Sequence, residues 1–239
     1  MSAAEDPAAD IPDVVAQVAD EVGPAWREAT QGEHRWPVAL VVVITISIQY
    51  LLPAELVFQP QWIARTIEVA LLIGICIASP RRIKANNRAV RMAGLLLAAL
   101  MSIGNAHQAI RLIVGIIDGS DDFDASELLL AGAGIWITNI VVFALWYWEL
   151  DRGGPAARAN GERQHPDFLF PQMHHDHAPR TWEPSFFDYL YVAFTNATAF
   201  SPTDTMPLSR WAKMTMMAQA AISLMIGALV IARAIGILQ

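Results

Sequence analysis

The sequence has little of what a soluble enzyme requires. A single cysteine, Cys76, stands among 239 residues. An intrachain disulfide and a paired-cysteine site are therefore excluded, and packing within its apolar run is the expected role. The chain has no phosphate-binding glycine loop, no HExxH and no serine–histidine arrangement in a credible context, so nothing points to an enzyme. Charge is scarce, at 16% of residues against 54% hydrophobic, which argues against a soluble domain. The first 30 residues are acidic and lack an apolar core segment, so no signal peptide is expected and the first apolar helix would start insertion. No inverted repeat of the transporter kind is visible. The net charge of −7 comes largely from acids between Glu5 and Glu21 and from Asp118, Asp121, Asp122 and Asp124, so nucleic acid is not an expected partner.

What is present are uncharged apolar runs of membrane length between short polar loops. They predict an all-α membrane protein, with the lipid bilayer as its first partner. Five transmembrane helices are expected, at about Trp36–Pro53, Trp62–Ser79, Met92–Ile117, Leu128–Trp148 and Leu208–Leu238. Trp36, Trp62, Trp146, Trp148, Trp182 and Trp211 fall near the span ends, as an interfacial aromatic belt would. Ahead of the first span, IPDVVAQVADEV places Ile11, Val14, Val15, Val18 and Val22 on one helical face. That pattern suits an amphipathic helix on the membrane surface or on a partner subunit. The chain thus divides into an acidic segment, 1–35, a three-helix membrane region, 36–127, and a last unit, 128–239.

Positive charge is one-sided. Arg81, Arg82, Lys84, Arg88 and Arg91 join spans two and three, whereas DGSDDFDASE joins spans three and four. The linker 151–183 adds Arg152, Arg158, Arg163 and Arg180 on the side of the first loop. The positive-inside rule makes that side, and the N-terminus, cytoplasmic, in what would be a prokaryotic inner or plasma membrane.

Before the last span, the run from Ser185 to Thr198 is too short to cross a bilayer, at about 21 Å as a helix. Pro184-Ser185 supplies a start, and Asp188 stands where a helix dipole favours an acid. TAFSPTDTMP follows, and Pro202 and Pro207 keep it from continuing as helix. Non-helical backbone at membrane depth survives only if buried in protein or facing water. The outline is a re-entrant pore helix with a filter-like loop; the plainer reading is a buried turn.

The residues DYLYVAFTNATAFSPTDTMP resemble the pore domain of the tetrameric potassium-channel superfamily, in which the pore helix and filter read roughly D-A-L-Y-F-S-F-V-T-L-T-T-V-G-Y-G-D-x-x-P. Asp188 and Asp204 match its two acids without a gap, Pro207 its proline, and Thr198 the threonine at the filter's inner end. Similarity extends over Ser185–Leu238, and span four would serve as outer helix. The resemblance implies a homotetramer passing monovalent cations such as K or Na, with no other cofactor. The family's T-V-G-Y-G is replaced by Ala199-Phe200-Ser201-Pro202-Thr203. Stacked carbonyl rings depend on those glycines, so a multi-site potassium filter is not expected, and weak selectivity is. Hydroxyls of Thr198, Ser201 and Thr203 remain, with a ring of Asp204 at the mouth. A closed, non-conducting scaffold or sensor that kept the fold is the alternative. Charge places this pore loop inside, the reverse of ordinary potassium channels and the arrangement of glutamate-receptor pores.

Other polar residues carry open alternatives. Gly104, His107, Gln108 and Arg111 share one face of span three, a candidate site for a small transporter. The alternative pairs Arg111 with Glu68 of span two to hold the bundle together. In QHPDFLFPQMHHDHAP, His174 and His177 with Asp176 either bind a metal or sense pH, or are solvated loop residues. Gly227, mid-way along the last helix, is either a hinge or a packing contact.

Overall fold

The structure, a computed structural model, describes residues 25–84, 87–119, 123–174, 179, 181–198 and 204–237. Within these it is mostly helical. Helix α1 spans Trp36–Gln49, α2 Gln61–Ala78, α3 Arg88–Asp118, α4 Ala125–Leu150, α5 Pro155–Ala159, α6 Phe186–Thr198 and α7 Arg210–Ile237. The only strands among the described residues, β1 (Phe168–Leu169) and β2 (Met206–Pro207), pair antiparallel. The amphipathic segment expected at 11–22 lies outside the described residues.

Four helices, α2, α3, α4 and α7, are long and apolar enough to cross a membrane. The first apolar run yields only the 14 residues of α1, about 21 Å against a hydrocarbon core of about 30 Å. Its expected last turns instead unwind after Tyr50 into a short 3-10 turn at Ala54–Leu56, because Pro53 cannot continue the hydrogen-bond ladder. Helix α4 starts on a full capping box, Asp124 taking the Ser126 and Glu127 N–H groups and Glu127 reaching back to the Asp124 N–H. It is the axis of the molecule. Of its apolar window 67% is buried, against 22% for α2, α3 and α7, so those three turn most of their surface outward. Helices α4 and α7 cross closely at Gly132, where a Cβ would meet Val230 Cγ1 at 2.7 Å.

One end of the bundle gathers the chain segments rich in arginine. Arg35 N donates to Arg81 O at 3.2 Å, Ile83 N to Glu33 O at 2.9 Å and Thr30 N to Ala159 O at 2.8 Å. The linker, aperiodic in sequence, is ordered from its start. Arg152, at φ +52°, and Gly153 and Gly154 turn the chain sharply off α4. Gly154 is required there, since at φ +97° a Cβ would lie 2.9 Å from Glu149 O.

Two acids, Asp151 buried and Asp167 partly buried, clip this end together. Asp151 accepts hydrogen bonds from Tyr189 Oη and from the N–H groups of Asp167 and Phe168. Asp167 accepts from Arg152 N at 3.0 Å and Trp211 Nε1 at 2.9 Å. Only Trp36 and Trp62 of the expected aromatic belt are widely exposed. Trp148 is buried with its Nε1 on Glu33, and Trp211 is spent on Asp167, as indole N–H groups inside protein usually take an acceptor.

Candidate functional site

Helix α6 forms where its capping residues dictate. Asp188 accepts from Ser185 N and Ser185 Oγ, both at 2.7 Å. Glu33, 153 positions away in sequence, accepts from Phe186 N at 2.6 Å and Trp148 Nε1 at 2.8 Å. Two carboxylates thus face the positive end of α6. Burial raises the Glu33 carboxyl above its ordinary 4.5, partly offset by the bonds from Phe186 and Trp148.

Two levels of contact fix the direction of α6 relative to α7. At the clipped end, the Phe168 ring touches both Tyr189, in the first turn of α6, and Trp211, in the first turn of α7. Two turns further on, Asn196 Nδ2 donates to Met216 O at 2.9 Å and Gln219 Oε1 at 2.8 Å. The two helices run side by side in the same direction. β2, paired with β1 just ahead of α7, lies at the end from which α6 departs.

The contact between α4, α6 and α7 is polar and closed. The fully buried Gln219 accepts from Tyr147 Oη at 2.7 Å and from Asn196, and its Nε2 donates to Ala193 O at 2.7 Å. A second relay runs from Asn105 Nδ2 to Asn139 Oδ1 at 3.4 Å, and from Asn139 Nδ2 to Ser223 Oγ at 3.0 Å. Asn139, on α4, thus ties α3 to α7. At the far end of α6, Thr198 Oγ1 donates to Thr195 O at 2.9 Å. Beyond it opens a largely apolar cavity of about 500 Å³, lined among others by Trp136, Thr198, Ser223 and Gly227. A Cβ on Gly227 would meet nothing within 4 Å.

Of the filter-like residues, Thr198 ends α6 and Asp204 is exposed just ahead of β2. Ala199, Phe200, Ser201, Pro202 and Thr203 lie outside the described residues. His107 stacks on Phe58, with ring centroids 3.7 Å apart, and with Glu55 and Arg111 it lines an open cavity of about 490 Å³. Arg111 Nε donates to Glu55 O at 3.4 Å, and the charge acting on Glu68 is that of Arg65, one turn away on α2. The expected Arg111–Glu68 pairing is thus replaced by two local arrangements. His174 is exposed after the Pro171–Met173 turn; Asp176 and His177 lie outside the described residues. Among the described residues no three His, Cys, Asp or Glu side chains form a group that could hold a metal.

Comparison with protein-family models, with curated proteins and with solved structures returns no match for this chain. The residues that sequence reasoning passed over are Glu33, Tyr147, Asp151, Tyr189, Asn196 and Gln219. Gln219, an uncharged polar residue deep within a long apolar helix, carried a usable signal. Asp151 stands at the junction of a span and its linker, where an acid is ordinary and gives no such signal.

Proposed function

We propose that the chain is one subunit of a homotetrameric cation channel of the potassium-channel superfamily, weakly selective because the filter glycines are replaced. Its re-entrant pore helix would be α6, its outer helix α4 and its inner helix α7, with the region from Thr198 to Asp204 forming the ion path. The observation that carries this reading is the parallel course of α6 and α7. A helix of 13 residues, about 20 Å long, enters from one end and the chain returns to that end before α7 begins. The carbonyl end of such a helix carries partial negative charge and ends in Thr198, which favours a cation at that point. The outward row Met214, Met217, Leu224 and Ile231 on α7 supplies apolar surface for other subunits or lipid. The positive-inside rule puts the return loop, with Asp204, on the cytoplasmic side.

The reading is tested by flux of K or Na in liposomes holding the purified protein. Asp204→Asn is expected to lower cation over anion preference and to reduce conductance at low ionic strength, where the ring of charge is least screened. Unchanged currents would remove Asp204 from the mouth.

A second reading is favoured by one observation: Tyr147, Asn196 and Gln219 are spent on each other rather than turned to a water-lined path. A non-conducting scaffold with the same fold would show no flux at any pH or ion composition, while still assembling as a tetramer.

A further inference from the structure

At the arginine-rich end, a cavity of about 70 Å³ lies between the loop before α1, the end of α2, the start of α3 and the turn after α4. That is room for roughly four or five waters, or one tetrahedral oxyanion in their place. Its lining includes Arg35, Ser79, Asn87, Arg91, Glu149 and Gly154. Arg35 is 8% exposed and spends its Nε on Ser79 O at 3.1 Å. Burial lowers its pKa from the ordinary arginine value, the expected response of a guanidinium removed from water. Arg91 Nε is buried and has no hydrogen-bond partner. The amino end of α3, a helix of 31 residues, adjoins the cavity through Asn87, Val90 and Arg91 and brings partial positive charge to the same place.

Glu149 lies near Arg158, Arg35 and Arg91 together; Arg35 and Arg158 also lie near Glu33, and Arg158 near Asp151. Two planar forks, a helix amino end and a compact cavity are elements that bind phosphate oxygens. The exposed Ala78 stands at the cavity's lip, where α2 ends.

We propose that this cavity binds a phosphate oxyanion, clamped by Arg35 and Arg91. The oxyanion is either the phosphodiester of an anionic lipid headgroup or a soluble phosphate. The site is separate from the α6–α7 segment and holds whether or not that segment conducts.

The test follows thermal unfolding of the full chain, delipidated in detergent, as inorganic phosphate or phosphatidylglycerol is titrated in, with phosphatidylcholine as neutral control. Saturable stabilisation by phosphatidylglycerol alone assigns the lipid source; saturable stabilisation by inorganic phosphate that competes with the lipid assigns the soluble one. Arg91→Gln is expected to weaken binding roughly tenfold or more, the loss of a charge-assisted hydrogen-bond donor. Arg88→Gln, three positions away, exposed and not lining the cavity, should leave it unchanged. Ala156→Leu, which fills the cavity without altering either arginine, should abolish it. The proposal fails if neither ligand saturates, if Arg88→Gln weakens binding as much as Arg91→Gln, or if Ala156→Leu binds normally.

Discussion

The α4–α6–α7 unit and the α1–α3 face use the same kinds of polar residue inside a membrane and treat them in opposite ways. In the first, Tyr147, Asn196 and Gln219 exhaust one another's hydrogen-bonding capacity, and Asp151 and Asp167 each accept from two or more donors. In the second, Gln49 Nε2, Arg65 Nε, Glu68 Oε2, Asn105 Oδ1 and Gln108 Oε1 are buried without a hydrogen-bond partner. A buried polar group left unmet costs about 1–3 kcal/mol, whereas a closed network holds one geometry. The first region is therefore built for positional accuracy around α6. The second carries unmet atoms, on side chains of which Arg65 and Asn105 also bond through other atoms.

The largest test of that contrast is Asp151→Ala. It leaves Tyr189 Oη and the N–H groups of Asp167 and Phe168 without their acceptor at the junction of α4, β1 and α6. A loss of about 3–5 kcal/mol is expected, read as a fall in the thermal unfolding midpoint in detergent. A matched pair sharpens the comparison. Gln219→Leu should cost about 2–4 kcal/mol, because Tyr147, Asn196 and Ala193 O each lose a partner. Gln108→Leu, the same exchange at an orphaned oxygen, should be neutral or stabilising. Equal losses at the two positions would erase the distinction between the regions.

The smallest effect is a slope with pH. Burial raises the Glu33 pKa above 4.5, so the folded chain keeps that proton to higher pH than the unfolded chain does. The associated stability is complete below 4.5 and is lost as pH rises through the folded value. Glu33→Gln should flatten this slope in unfolding midpoints measured from about pH 4 to about pH 8. A slope identical to that of the unmodified chain would assign it to other groups.

Helix α6 was legible nearly to the residue: Pro184, Ser185 and Asp188 lie within one turn of its start, and capping is a matter of four or five neighbouring positions. The one-sided gathering of arginine segments was legible too, since charge and apolar length act wherever the chain folds. The first span was read too long because an apolar run does not mark where a helix stops; Pro53 and the following turn did. The tryptophans illustrate the same limit. Position near a span end fits a lipid interface or an internal anchor equally well, and whether Trp148 meets lipid or Glu33 depends on a contact 115 residues away.

Local chemistry and hydrophobicity thus point by themselves to a helical membrane protein with five apolar runs, a short helix before the last of them and a charge asymmetry between its ends; that four of the runs form helices long enough to cross a membrane is a finding of the structure. Tertiary structure alone decides that α6 and α7 run parallel, that Glu33 caps α6 and that Arg35 and Arg91 share a cavity. The physical reason is that a hydrogen bond or a cavity is defined by groups brought together across loops. The sequence records the groups one at a time, and only the packed chain records which of them meet.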